Sequence, residues 1–209
     1  MPALTVDCLP SVPLAPRVDP LELVAVLFGI VSVFLSTREH VASWPTALVN
    51  VSLYFVVLGR AQLYANAGLQ LFYFGLSCYG WYQWKFGGAA HTGVVVTHTP
   101  RRTGAALVAI GVSATLVLGV GLSRWTDAAS PWLDAVTTAT SLVAQWMMTR
   151  KLLENWSVWV VVNFVYVGLY ASQGLYLTTG LYCVYIGLAV SGHLSWTRSL
   201  QRRLASEAA

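Results

Sequence analysis

Acidic residues are scarce in this chain: 8 Asp and Glu stand against 12 Lys and Arg among 209 residues, and charged residues make up only 10%. None of the acids falls well inside an apolar stretch. Glu22, Asp134 and Glu154 lie at or beyond the expected helix ends, and Arg60 closes one helix. Pumps and proton-coupled carriers keep ionisable groups at membrane depth, so a proton relay has no obvious material. The nucleophile–base pair or paired carboxylates of a membrane-embedded enzyme are also missing. Cys8, Cys78 and Cys183 form no CxxC or Cys/His spacing, which indicates neither a metal site nor a disulfide framework and leaves them as packing residues. Neither metal nor cofactor is expected. Residues 1–20 hold five of the eight prolines with no basic cluster before an apolar core, so they read as an extended leader rather than a signal peptide. The basic residues occur in ones, twos and threes rather than along one face, which argues against a nucleic-acid partner.

What is present is apolar. Hydrophobic residues are 56% of the chain and mean hydropathy is +0.63, too apolar for an ordinary soluble domain of this size. The partner expected is the lipid bilayer. A helix needs about 20 apolar residues to cross the hydrocarbon core, and seven segments approach that: 21–37, 44–61, 66–86, 103–123, 132–149, 156–173 and 175–197. Trp44, Trp84, Trp156 and Trp196 fall near segment ends, where an indole ordinarily anchors the chain at the headgroup level.

The chain also repeats itself at a spacing of 112 residues. Arg38 returns as Arg150, Trp44 as Trp156, Tyr54 as Tyr166, Gly80 as Gly192 and Trp84 as Trp196. Each repeat holds three apolar segments, and the fourth segment has no counterpart. Two three-helix units joined directly would be inverted relative to one another, and one extra crossing restores equal orientation. The fold expected is therefore an all-α integral membrane protein of seven transmembrane helices, arranged 3+1+3 with two parallel repeats. Its parts are a leader (1–20), a first repeat (21–86), a loop and linker helix (87–131), a second repeat (132–197) and a cytoplasmic tail (198–209). With the C-terminus inside, nine basic residues (Arg38, Lys85, Arg101, Arg102, Arg150, Lys151, Arg198, Arg202 and Arg203) face the cytoplasm, and three (Arg17, Arg60 and Arg124) face out. That bias sets an outside N-terminus and a cytoplasmic C-terminus.

A polar seam runs along the third segment at helical steps, through Asn66, Gln70, Tyr73, Ser77, Gly80 and Trp84. Its equivalents on the seventh are Thr178, Tyr182, Tyr185, Ala189, Gly192 and Trp196, alike in position but different in chemistry. On the sixth, Trp159 and Asn163 stand at i and i+4 on one face, followed by Tyr166 and Tyr170. A flat ring could stack on the indole while the amide bonds it. Trp159, Asn163, Gln70, Tyr73, Tyr166, Tyr182 and Asn66 are thus the candidate substrate-binding residues. Each amide also has a structural reading as interhelical glue, worth about 0.6 kcal/mol, and Asn50 shares it. Gly80 and Gly192 permit close helix approach, Tyr64 and Tyr176 help fix tight hairpins, and His193 reads as a satisfied interfacial histidine.

The runs Trp44-Pro45 and Leu63-Tyr64-Ala65-Asn66-Ala67-Gly68-Leu69-Gln70-Leu71-Phe72-Tyr73, ending Tyr79-Gly80-Trp81-Tyr82-Gln83-Trp84, resemble the PnuC family of vitamin transporters. So do Glu154-Asn155-Trp156, the WxxxN pattern at Trp159 and Asn163, and Gly174-Leu175-Tyr176-Leu177-Thr178. The resemblance covers nearly residues 20–200. One departure is Asn66, where the family usually has an aspartate. The resemblance implies a SWEET-like 3+1+3 fold in the bacterial inner membrane that takes up nicotinamide riboside by facilitated diffusion. It implies further that a cytoplasmic kinase traps the product for NAD biosynthesis, and that WxxxN belongs to the binding site. Assembly as a homo-oligomer, a homotrimer for instance, fits the same picture. Relatives carrying thiamine or riboflavin supply the alternative substrates. A non-transporting receptor and a membrane-embedded enzyme fit the residues less well.

Overall fold

In the computed structural model the described residues are 20–60, 62, 64–88, 91–126, 130–172, 174 and 176–208. Among them every regular element is helical: α1 (Pro20–Thr37), α2 (Ser43–Arg60), α3 (Tyr64–Phe86), α4 (Arg101–Trp125), α5 (Pro131–Thr149), α6 (Asn155–Ser172) and α7 (Tyr176–Ala208). The expected leader and Cys8 lie outside the described residues, except that Pro20 begins α1. The seven expected segments coincide with these helices to within about two residues at most ends. The exception is α7, which continues unbroken to Ala208. At 1.5 Å per residue its 33 residues reach about 50 Å, well past a hydrocarbon core of about 30 Å. Arg198, Arg202 and Arg203 therefore ride on helix beyond the apolar layer.

Two helices, α1 and α4, are long and apolar enough to cross a bilayer by length and composition alone. Val108, Leu116 and Val117 of α4 are exposed, as lipid-facing side chains would be. The others are interrupted by polar residues that the bundle turns inward, including Ser77, Ser141 and Asn163. Helices α1, α2 and α3 pack in sequence, α5, α6 and α7 do likewise, and α1 meets α7 while α3 meets α5. Helix α4 packs on α5. Asn50 donates to the Ala25 carbonyl at 2.6 Å, joining α2 to α1 as interhelical glue.

One end of the bundle carries Arg38, Lys85 and Arg150, and it is closed by tryptophan. The expected interfacial anchors are instead core residues: Trp44, Trp84, Trp156 and Trp196 are between 0% and 3% exposed. Trp44 meets Trp84 edge-on at 5.3 Å, Trp156 meets Trp196 edge-on at 5.3 Å, and Trp84 touches Trp196 at 5.9 Å. Edge-to-face contact suits the ring quadrupole. Two glycines make room, because a Cβ on Gly80 would stand 2.2 Å from the Trp44 ring and one on Gly192 would stand 2.5 Å from Trp156. The close approach is thus ring over backbone. The indole of Trp84 donates to the Met148 carbonyl and that of Trp196 to the Ser36 carbonyl, both at 3.0 Å. Met148 and Ser36 are themselves 112 residues apart.

The turns repeat in the same register. Glu39 and Lys151 both adopt left-handed backbone (φ 54° and 49°), as do Gln62 and Gly174 (φ 59° and 73°), which ends each helix before the chain reverses. Gly174 N donates to Ala171 and Gln62 N to Gly59, each at 3.1 Å, so backbone makes these hairpins. Tyr176 does not fix its hairpin, being 77% exposed; the Tyr64 side chain lies outside what is described. Cys78 and Cys183 are exposed rather than packed inside the bundle, and the buried Nδ1 of His193 has no partner among the described residues, so neither expectation holds.

At the same basic end the α3–α4 loop is tied to the α5–α6 turn. Thr97 and Leu152 form a parallel bridge, and the Glu154 carboxylate accepts from Thr99 N and from His98 Nδ1, each at 2.8 Å. Burial pushes the Glu154 carboxyl up, but hydrogen bonds from the Thr99 hydroxyl, His98 and the Thr99 backbone together outweigh it and hold the group below its ordinary value. A carboxyl lowered on folding contributes stability that is present above its unfolded value, about 4.3, and is lost as pH falls through the lowered folded value. The melting temperature is expected to drop on acidification below about pH 4.3. In Glu154→Gln it should start lower at neutral pH and lose this acid limb, and an unaltered limb would exclude the clamp.

Candidate functional site

Away from the tryptophan layer the interior is built from tyrosine. Helix α6 presents Trp159, Asn163, Tyr166 and Tyr170 at steps of four, three and four, which keeps them on one face over about 16 Å. Tyr166 lies 4.8 Å from Tyr182 of α7, and Tyr170 stacks on Tyr182 at 5.2 Å and 18°. Tyr166 and Tyr170 stack at 6.0 Å, and Tyr185 meets Tyr182 edge-on. Tyr73 of α3 stands beside Ser141 of α5 and within electrostatic reach of Tyr166. Tyr54 of α2 stands in similar relation to Tyr170 and Tyr185. A Cβ on Gly29 of α1 would lie 2.9 Å from both the Tyr185 hydroxyl and the Asn50 amide. Glycine here admits the phenol.

Ring contacts thus join α6 to α7 in one aromatic seam, and Gly29 of α1, Tyr54 of α2 and Tyr73 of α3 lie around it. Of the seven candidates, Tyr166 and Tyr182 are in direct ring contact and Tyr73 adjoins them. Asn163 is 5% exposed, one turn inward from Tyr166, and its amide has no hydrogen-bond partner among the described residues. Trp159 packs against the tryptophan layer and so lies between that layer and Asn163. Gln70 is half-buried one turn from Tyr73, while Asn66 is exposed in the first turn of α3, and no described contact brings it to the seam. Tyr54, Tyr170, Tyr185 and Ser141 were not among the candidates. The repeat could have found two of them, since Tyr54 pairs with Tyr166 and Tyr185 with Tyr73 at the 112-residue spacing.

The chemistry offered is aromatic faces, phenol hydroxyls and the amide of Asn163. Faces of this kind attract a flat cation, and hydroxyls with an amide suit a neutral polyol. No Lys or Arg is among the candidates. Among the described residues no cluster of His, Cys, Asp or Glu is arranged to hold a metal ion. Two surface grooves lie near the basic end, one along Ser157, Val160 and His193 and the other along Arg38 and Arg198. Neither is lined by a candidate residue.

Residues 19–198 match the profile of the nicotinamide mononucleotide transporter family. The chain belongs to that family. It is 27% identical to "Nicotinamide riboside transporter PnuC" of Escherichia coli (strain K12), with 88% of this chain and 87% of the relative covered. It is 25% identical to "Riboflavin/roseoflavin transporter RibM" of Streptomyces davaonensis, covering 84% and 83%. The crystal structure of "the Vitamin B3 transporter PnuC" superposes with a TM-score of 0.70 at 29% identity, covering 87% of this chain and 82% of that one. The protein is thus an all-helical membrane transporter of the PnuC kind.

Proposed function

We propose that this protein carries nicotinamide riboside across the bacterial inner membrane by facilitated diffusion, through alternating access to the tyrosine seam. A cytoplasmic kinase then traps the product. The carrying observation is Asn163, 5% exposed on the α6 face between Trp159 and the tyrosines, with no described hydrogen bond to its amide. A pyridinium ring suits the aromatic faces, and a ribose suits the amide and hydroxyls. The relatives named for nicotinamide riboside support the substrate. A phosphate dianion would call for Arg or Lys in the pocket, so the riboside is favoured over the mononucleotide of the family's name. The relative named for riboflavin and roseoflavin motivates a second reading, a flavin substrate, and thiamine is the third.

We infer the 3+1+3 arrangement of parallel repeats with α4 as the linker. Its support is that equivalent residues touch one another: Trp84 meets Trp196, and Lys151 donates to Glu39 at 3.1 Å. Residues that meet their own equivalents lie on the axis relating two halves. The nine-to-three distribution of basic residues supports a cytoplasmic tryptophan layer and C-terminus. In this reading the layer is the closed inner gate, and the seam faces the outer half.

Binding to purified protein, compared across nicotinamide riboside, its mononucleotide, thiamine and riboflavin, tests the substrate. The riboside should bind at least about tenfold more tightly than the others, and tighter riboflavin or thiamine would replace it. Uptake into ligand-free vesicles should stop at equal concentrations inside and out. Accumulation driven by an ion gradient would reject facilitated diffusion.

A further inference from the structure

The groove between α1 and α7 at the basic end is chemically unlike the seam. It has a volume of about 470 Å³ and is lined by Arg38, Arg198, Ser191 and Ser195 together with Val190 and Leu194. Val190 and Leu194 are about half exposed. Neither arginine has a carboxylate partner among the described residues. The Arg38 guanidinium lies over the Phe34 ring at 5.3 Å, which directs it along α1. The carbonyl end of α1 offsets part of the Arg38 charge, but Arg198 stands well inside α7 with no such compensation.

We propose that this groove binds the phosphodiester headgroup of an anionic membrane lipid. Two guanidiniums and two hydroxyls provide the planar, charge-assisted donors that phosphate oxygens require. Val190 and Leu194 continue the site toward the apolar layer, where an acyl chain would lie. The position is right for it, because α1 ends at Thr37 while α7 runs on past the bilayer. Basic pockets between membrane helices commonly take such headgroups. The opposite repeat cannot form a second one, since the counterparts of Arg198, Ser195 and Ser191 are Phe86, Gln83 and Tyr79. One lipid per chain follows.

The test is a titration of the purified full-length protein in neutral detergent with phosphatidylglycerol, phosphatidylcholine or inorganic phosphate. Melting temperature and the lipid retained in native mass spectrometry are the readouts. Phosphatidylglycerol should raise the melting temperature saturably, with one lipid retained, and phosphatidylcholine should not. Arg198→Gln should weaken half-saturation about fivefold and the double change with Arg38→Gln by more. Arg198→Lys should keep most of the affinity, and Arg124→Gln at the opposite end all of it. Equal stabilisation by phosphatidylcholine, or an undiminished response in Arg198→Gln, overturns the proposal. Protection by inorganic phosphate alone would assign the groove to free phosphate and overturn the lipid reading.

Discussion

Replacing Trp196 by alanine is expected to lower stability by about 3–5 kcal/mol, the cost of emptying a large, fully buried aromatic position. Trp196 is 0% exposed and contacts both Trp84 and Trp156, so its loss opens the layer at the centre. Phenylalanine replacements separate packing from hydrogen bonding. The indoles of Trp84 and Trp196 each have a carbonyl acceptor in the opposite half, whereas the buried indole nitrogens of Trp44 and Trp156 have no acceptor among the described residues. Trp84→Phe and Trp196→Phe should therefore cost about 1–2 kcal/mol more than Trp44→Phe and Trp156→Phe. Measured by reversible unfolding in detergent, four equal penalties would mean that the crossed hydrogen bonds contribute nothing. A leak of riboside through Trp196→Ala, but not through Trp196→Phe, is the corresponding expectation if the layer closes the inner side.

Why these tryptophans were misplaced is instructive. Position near a segment end is the same for an anchor and for a plug, and propensity statistics favour the anchor. The distinguishing residues were Gly80 and Gly192, which stand beneath the rings that occupy them, yet a glycine in a membrane helix does not say which side chain covers it. Segment positions were legible because apolar length and turn residues are local properties. The end of α7 was not, since its last turns are polar and only helix continuity carries them. The seam was partly legible: helical spacing put Trp159, Asn163 and Tyr166 on one face, and the polar face of the third segment named Tyr73 and, through its equivalent, Tyr182. Tyr170 follows Tyr166 at the same helical spacing, and the repeat pairs Tyr54 with Tyr166 and Tyr185 with Tyr73, but only the packing of separate helices shows which of these rings touch. Asn66 illustrates the converse, sharing the helical period of Gln70 and Tyr73 while lying exposed one turn nearer the end.

Asn163→Ala separates a ligand-binding amide from a structural one, because the two roles predict opposite changes in the empty protein. Asn50 is the internal comparison: its bond to the Ala25 carbonyl at 2.6 Å makes Asn50→Ala destabilising by about 0.5–1.5 kcal/mol, whatever the substrate. Asn163 is more deeply placed, at 5% exposed, and no described hydrogen bond uses its amide, so alanine there breaks no bond between helices. The melting temperature without substrate should stay level or rise. Riboside affinity should nevertheless fall about 10- to 100-fold, matching about 1–3 kcal/mol for a ligand group left without its hydrogen bond. Trp159→Ala should also weaken the riboside, through loss of cation–π attraction of about 2 kcal/mol, but with a penalty in stability because its ring packs on the tryptophan layer. A stability loss in Asn163→Ala with unchanged binding would place Asn163 with Asn50 as glue between helices, and the seam would then need another residue to read the sugar.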